Sequence, residues 1–271
     1  MQITVTSGDA ELNVHVDGAE TLPWIVLSNS LAADLTMWDD QMATLTRTHR
    51  VLRYDTRGHG GSSAPPGAYS FDMLVGDMVA VMDHLGVERA DILGLSLGGM
   101  TALGLGLEHP ARVGRLICAD ARADAPPPFV EGWNQRIAAV TADGMQAVLG
   151  GTMERWFTAA SRARRPDLAE RAARMVLGTS AAGYVGCAHA LKGLDYLRRL
   201  PAMKIDTLYI VGAEDTGAPP DAMRAMAAAT PGARLEMLPG VAHIANMEDA
   251  AGFNAAIAGF LTHTPNQERA R

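Results

Sequence analysis

The sequence predicts an α/β fold: a mostly parallel central sheet with helices on both faces, interrupted by a helical cap. Three observations carry this expectation. Short apolar runs alternate with amphipathic stretches at the spacing of strand–helix–strand units. From Asp124 to Arg199 the strand pattern stops, and apolar residues recur instead at spacings of three and four. After Lys204 the alternation resumes. The expected division is therefore 1–123 and 200–271 for the sheet-bearing core and 124–199 for the cap.

Taken in order, residues 2–6 and 12–16 flank Gly8-Asp9 and predict a hairpin. Pro23 to Ser28 is a short, wholly apolar strand of the kind buried in a parallel sheet. The loop Asn29 to Asp34 leads to Trp38 and a short helix over 39–46. Val51-Leu52-Arg53-Tyr54 is the next strand, running into the glycine-rich turn Asp55 to Ser63. Ser70 is a candidate N-cap for a helix through His84, with Met73, Val75, Met78, Val79 and Met82 at helical spacing. Ala90-Asp91-Ile92-Leu93 is a strand, Met100 to Leu107 a helix and Arg115 to Ala119 a strand. The cap opens on Pro126-Pro127-Pro128 and reads as several helices. Its arginine-rich stretch Arg162 to Arg174 is expected to be a solvated face. Strand 206–211, helix 220–229, strand 233–238 and helix 249–261 complete the pattern, and the polar tail from Thr264 is expected to fray.

Composition narrows the function classes. The 271 residues are 48% hydrophobic and 20% charged, as in a soluble globular protein. A net charge of −7 gives no electrostatic reason to bind nucleic acid or an anionic membrane. Cys118 and Cys187 form no disulfide framework and have no metal-like Cys or His neighbour at ligand spacing, so no metal is expected. The start shows no basic segment before an apolar core, and the longest uncharged stretch, Ile92 to Leu107, is too short and glycine-broken to span a membrane. A cytoplasmic location is the expectation.

Chemistry concentrates at Gly94-Leu95-Ser96-Leu97-Gly98-Gly99. A serine between glycines at a strand-to-helix junction reads as a nucleophile elbow, a sharp turn that projects Oγ above the carboxyl end of the sheet. A serine hydroxyl needs a base, and the base needs an orienting acid. Asp215 follows the strand ending near Val211, and His243 follows the last strand, so both are expected at the same sheet edge as Ser96. Glu214 and Asp120 are rival acids, each also just past a strand end. His15, His49, His84, His109 and His263 read as structural. His59 sits in the glycine-rich turn, and His189 in the cap is a possible substrate contact. An oxyanion needs aimed donors, worth about 3–4 kcal/mol each. The backbone N–H groups of Leu97, at the helix N-terminus, and Leu31, in the loop after the Pro23–Ser28 strand, are the candidates.

The set Asn29-Ser30-Leu31, Met37-Trp38-Asp39, Tyr54 to Gly60, Gly94 to Gly99, Gly212-Ala213-Glu214-Asp215 and Ala242-His243 resembles the α/β-hydrolase superfamily. Within it, the chain is similar to 3-oxoadipate enol-lactonases, as are the cap stretches Trp133 to Ile137 and Glu154 to Thr158 and the pair Phe253-Asn254. The resemblance implies a serine hydrolase that opens a lactone through an acyl-enzyme, with no metal or organic cofactor and a small lactone or ester as its partner. A carboxylate-bearing substrate would need a cation in a mostly apolar pocket; Arg136 is the first candidate and Arg122 the second, with Trp133 as a pocket wall. One departure stands out: where enol-lactonases continue the strand with an Asn-Thr-Ala type sequence, this chain has Asp120-Ala121-Arg122-Ala123-Asp124. A broad carboxylesterase or perhydrolase is the alternative, and a non-catalytic hydrolase-like binding protein a further one.

Overall fold

The computed structural model describes residues 1–262; the polar tail from Thr264, with His263, lies outside the described residues. Strands β1 (Gln2–Ser7) and β2 (Ala10–Asp17) form an antiparallel hairpin. Gly8 at its tip has a φ of 58°, a conformation that costs glycine little. Then come β3 (Trp24–Ser28), α1 (Asp39–Leu45), β4 (Arg50–Tyr54) and α2 (Phe71–His84). Ser70 caps α2, its side chain accepting the Met73 N–H. The buried face of α2 is Phe71, Leu74, Val75, Met78, Val81 and Met82, one step round from the expected stripe, with Met73 and Val79 at its half-buried margin.

Strand β5 (Ala90–Leu95) is followed after one residue by α3 (Leu97–Glu108), and β6 (Val113–Ala119) ends the first half. Five helices come next: α4 (Pro127–Asp143), α5 (Gln146–Trp156), α6 (Ala159–Arg164), α7 (Pro166–Gly178) and α8 (Ala181–Lys192). The chain closes with β7 (Asp206–Gly212), α9 (Pro220–Ala229), β8 (Arg234–Leu238), α10 (Ala245–Glu248) and α11 (Ala250–Thr262).

The strands form one eight-stranded sheet in the order β1-β2-β4-β3-β5-β6-β7-β8. Only β1–β2 and β2–β4 pair antiparallel; every pair from β4 to β8 is parallel. Parallel strands covered by helices are apolar throughout, which is why all of β5 is buried. α2 and α3 pack on each other, as do α1 and α11, giving helical layers against the sheet. The two ends of the five-helix segment meet: the Ala123 carbonyl accepts the N–H groups of Tyr196 and Leu197, and Asp124 bridges to Asp195.

Two local features depart from expectation. The helix expected over 249–261 forms as α11, but an unexpected short helix, α10, precedes it, separated from it by Asp249, whose φ of −125° and ψ of 71° are not helical. Its carboxylate accepts the Gly252 N–H and so starts α11 afresh. The arginine-rich face of α6 and α7 is only partly solvated. Arg171 pairs with Asp40 at 2.9 Å and donates to the Thr36 carbonyl, tying α7 to the sheet-bearing part of the molecule. No helix among the described residues is long and apolar enough to cross a membrane.

Candidate active site

The site is built on the end of β5. Ser96 sits between strand and helix at φ 56° and ψ −116°, a strained conformation for a residue with a side chain. The turn is held from both sides: the Ser96 N–H donates to the Ala119 carbonyl at 2.8 Å, and the Ser96 carbonyl accepts the Met100 N–H at 2.9 Å. Its tightness explains the flanking glycines. A Cβ on Gly94 would lie 2.1 Å from the Gly98 oxygen, and one on Gly98 would lie 2.0 Å from the Ser28 oxygen. The motif is therefore a close approach of three backbones.

Two more loops converge on Ser96. After β7, Asp215 is buried, and its Oδ1 accepts the N–H groups of Gly217 at 2.7 Å and Ala218 at 3.0 Å. Those bonds fix the carboxylate and leave Oδ2 to meet His243 Nδ1 at 2.8 Å. After β8, His243 turns its Nε2 to the Ser96 Oγ at 2.9 Å. With a carboxylate facing Nδ1, the ring proton belongs on Nδ1, and Nε2 is left to accept from the serine hydroxyl. The rival acids part company with the histidine. Glu214 is exposed. Asp120 is wholly buried and gives its oxygens to backbone N–H groups, those of Gly212 at 2.8 Å and Ala245 at 3.4 Å. Burial, and then the Asp215 charge, push the Asp120 carboxyl well above the usual carboxylate range.

Ser96 and His243 open onto a cavity of about 320 Å³ between the sheet edge and the five-helix segment, at the low end of ligand-sized pockets. Leu31 lines it, and Leu97 is the first residue of α3, where a helix N–H has no acceptor in its own helix. Trp133, Arg136 and Arg122 line it as well. Arg122 is already matched by Asp124 at 3.3 Å and lies over the Phe129 ring. Arg136 stacks on Trp133 with its guanidinium carbon 4.5 Å from the ring centroid and makes no ion pair among the described residues. His189 is half-buried in α8 and is not part of the lining.

A sequence model of the alpha/beta hydrolase fold matches residues 23–250. The chain belongs to the α/β-hydrolase family. It is 33% identical over 254 residues to 3-oxoadipate enol-lactonase 2 of Acinetobacter baylyi, covering 94% of each chain. It is also 36% identical over 204 residues to 3-oxoadipate enol-lactonase 1 of that organism, covering 75% of this chain and 76% of the other. The crystal structure of the enol-lactonase from Burkholderia xenovorans superposes with a TM-score of 0.93 at 37% identity, covering 96% of this chain and 100% of that one.

One cavity residue of this hydrolase carried no role in the sequence reading. Arg155, near the end of α5, lines the cavity and donates to the Thr152 hydroxyl at 3.1 Å, with no carboxylate partner among the described residues. Burial first, then the Arg136 charge, push its guanidinium down to about 10. Two uncompensated cations thus face one small cavity. The same segment also touches the histidine loop: the Arg155 and Trp156 carbonyls accept the N–H groups of His243 at 3.4 Å and Ile244 at 3.1 Å. Glu248 closes this seam, accepting from Thr158 and from the Ala242 N–H. In the sequence the Glu154 to Thr158 run is only family-like, and a solvent-facing arginine on a helix reads the same as one turned inward.

Proposed function

We propose that the protein is a carboxylic ester hydrolase that opens an enol-lactone or related lactone, with Ser96 as nucleophile, His243 as general base and Asp215 as the acid that orients it. The observation that carries this reading is the continuous chain from Asp215 Oδ2 through His243 to Ser96 Oγ, at 2.8 and 2.9 Å, opening onto the cavity. In the reaction, Ser96 Oγ attacks the lactone carbonyl while His243 Nε2 takes its proton, and Asp215 steadies the imidazolium. The N–H groups of Leu31 and Leu97 receive the oxyanion. Collapse breaks the ring C–O bond, the imidazolium of His243 gives the serine proton to the departing enolate, and the resulting enol becomes a ketone. Water, losing a proton to His243, then cleaves the acyl-enzyme and restores Ser96.

The substrate assignment draws on the similarity to the enol-lactonases and on the charge of the cavity. A ring bearing a carboxylate fits a pocket whose remaining cations, Arg136 and Arg155, lack counter-ions, and Arg136 is its first anchor. A second reading, hydrolysis of small neutral esters, is favoured by the walls, since Met100, Phe129, Trp133, Trp156 and Leu191 are all apolar.

The test is a panel of acidic lactones, neutral lactones and short esters, run with wild type and Ser96→Ala. Ser96→Ala should lose hydrolysis on every substrate, by about 10⁴-fold or more, with an unchanged melting curve. Full activity in that variant overturns the nucleophile assignment. A wild type faster on neutral esters than on acidic lactones replaces the first substrate reading by the second.

A further inference from the structure

The carboxyl of Asp120 is awkwardly placed for a group with no function. It is wholly buried, at the tip of β6, in a residue whose φ of 45° lies in the left-handed region. The negative charges of Asp215 and Glu248 face it. A buried acid in such company opposes folding unless its oxygens do something an apolar side chain would not.

What they do is join the loops that carry the candidate triad. The residue before it, Ala119, accepts the Ser96 N–H at 2.8 Å. One Asp120 oxygen accepts the N–H of Gly212, three residues before Asp215, at 2.8 Å. The other accepts the N–H of Ala245, two residues after His243, at 3.4 Å. The Asp120 N–H itself is bound to the Ile210 carbonyl of β7. Two consecutive residues at the end of β6 therefore hold the serine turn, the acid loop and the histidine loop, and the last two are bridged by a single side chain.

From this geometry we infer that Asp120 is a positioning residue for the hydrolysis, fixing the separation of the acid and histidine loops so that His243 meets Asp215 and Ser96 together. The inference rests on the triad reading above. It differs from the role of rival acid, because Asp120 acts on the backbone of both loops and touches neither the imidazole nor the substrate. An amide has nearly the same shape but a single acceptor: with its carbonyl on the Gly212 N–H it turns an NH2 donor towards the Ala245 N–H and holds only the acid loop.

The experiment compares Asp120→Gly and Asp120→Asn with wild type, using a lactone or p-nitrophenyl ester that wild type turns over. Glycine and asparagine both tolerate the left-handed backbone, so neither change adds strain. Asp120→Gly removes both acceptors and should lower kcat by about 10²-fold, the scale of a small misplacement of catalytic groups, with KM within about threefold. Asp120→Asn, which keeps an acceptor for Gly212 and loses the one for Ala245, should recover only part of that loss. Melting curves at the assay temperature confirm that the compared proteins are folded. If Asp120→Gly does not fold, Asp120→Ser, with one short acceptor, takes its place and should fall between the other two. An undiminished kcat in Asp120→Gly or Asp120→Ser overturns the inference, as does an Asp120→Asn no better than Asp120→Gly. Ser96→Ala separates this failure from the larger one. If Ser96→Ala is inactive while Asp120→Gly is fully active, only the positioning role falls; if Ser96→Ala is active, the triad reading falls with it.

Discussion

The sheet with its own helices and the five-helix segment between β6 and β7 meet at one cavity, but they treat polar groups differently. In the sheet-bearing part, buried arginines have acidic partners. Arg57 makes two bonds of 2.7 Å to the buried carboxylate of Asp77, and Arg115 pairs with Asp91 at 2.6 Å. Even Asp215 spends one oxygen on two backbone N–H groups before offering the other to His243. In the five-helix segment, Arg136 and Arg155 line the cavity without a carboxylate between them. A desolvated cation left unpaired opposes folding, so the contrast assigns distinct work to the two parts. On the reading proposed above, one holds the reacting groups rigid and the other keeps charge in reserve for a ligand.

The strongest way to break that contrast is to disturb the rigid part where backbones touch. Gly98→Ala places a Cβ about 2.0 Å from the Ser28 oxygen and 2.8 Å from the Asn29 nitrogen. Neither obstacle is a side chain that can rotate away. β3 and its following loop must therefore shift from the start of α3, separating Leu31 from Leu97, the two proposed oxyanion donors. The expected result is a protein destabilised by roughly 1–3 kcal/mol whose kcat falls by at least about 10²-fold, read from thermal melts and turnover of one ester. A variant with wild-type kcat would mean that the oxyanion site does not depend on this approach.

Changes in the five-helix segment should behave otherwise. Arg136→Met keeps the length of the side chain and its contact with Trp133 but removes the charge. On a carboxylate-bearing lactone, kcat/KM should fall by about 10- to 100-fold, the worth of one hydrogen bond to a charged group, with most of the change in KM. Neutral esters should change by less than about twofold, since the lost interaction is with the ligand's charge. Arg155→Met should show the same selectivity, with some loss of kcat as well because its backbone carbonyl bonds the His243 N–H. Equal losses on charged and neutral substrates would show that these arginines support structure and do not read charge.

The same contrast decides how much was legible in the sequence. The elbow, the strand ends and the order Ser96, Asp215, His243 are written in local pattern, because tight turns demand glycine and buried parallel strands demand apolar runs. Asp215 and Asp120 are harder to tell apart, since both lie within three residues of a strand end. Only the three-dimensional partners separate them, Oδ2 to the imidazole in one case and backbone N–H groups in the other. Trp133 and Arg136 line the cavity, but the inward turn of Arg155 is not legible, for a cavity-facing arginine and a solvated one have the same helical spacing. Arg122 also lines the cavity, and its charge is met by Asp124 two residues on. The short α10 is not legible, because four residues before the N-cap Asp249 are too few to show a helical period.

Where the two parts touch, a smaller effect is expected, and it concerns stability alone. The turn carrying His59 lies against α8: the Gly58 carbonyl accepts the Ser180 N–H, and Gly58 and Gly183 approach too closely for either to bear a Cβ. His59 is buried there, with Nδ1 on the Arg57 carbonyl at 3.0 Å and Nε2 without a partner. Burial lowers it from an ordinary 6.5 to about 4, so the folded protein keeps the ring neutral where the unfolded chain would protonate it. Unfolding therefore takes up a proton between those two values, and the stability this group supports is complete above 6.5 and lost as the pH falls from there towards 4. Between pH 7.5 and pH 5 the loss from this one site is about 2 kcal/mol. His59→Asn keeps a donor for the Arg57 carbonyl and has no proton to gain. Urea unfolding of both proteins at the two pH values should show the wild type losing more stability on acidification by about that amount, with hydrolysis at neutral pH unaffected. Equal losses would place a water or another acceptor at Nε2, and the seam between the two parts would then be no weaker in acid than the sheet itself.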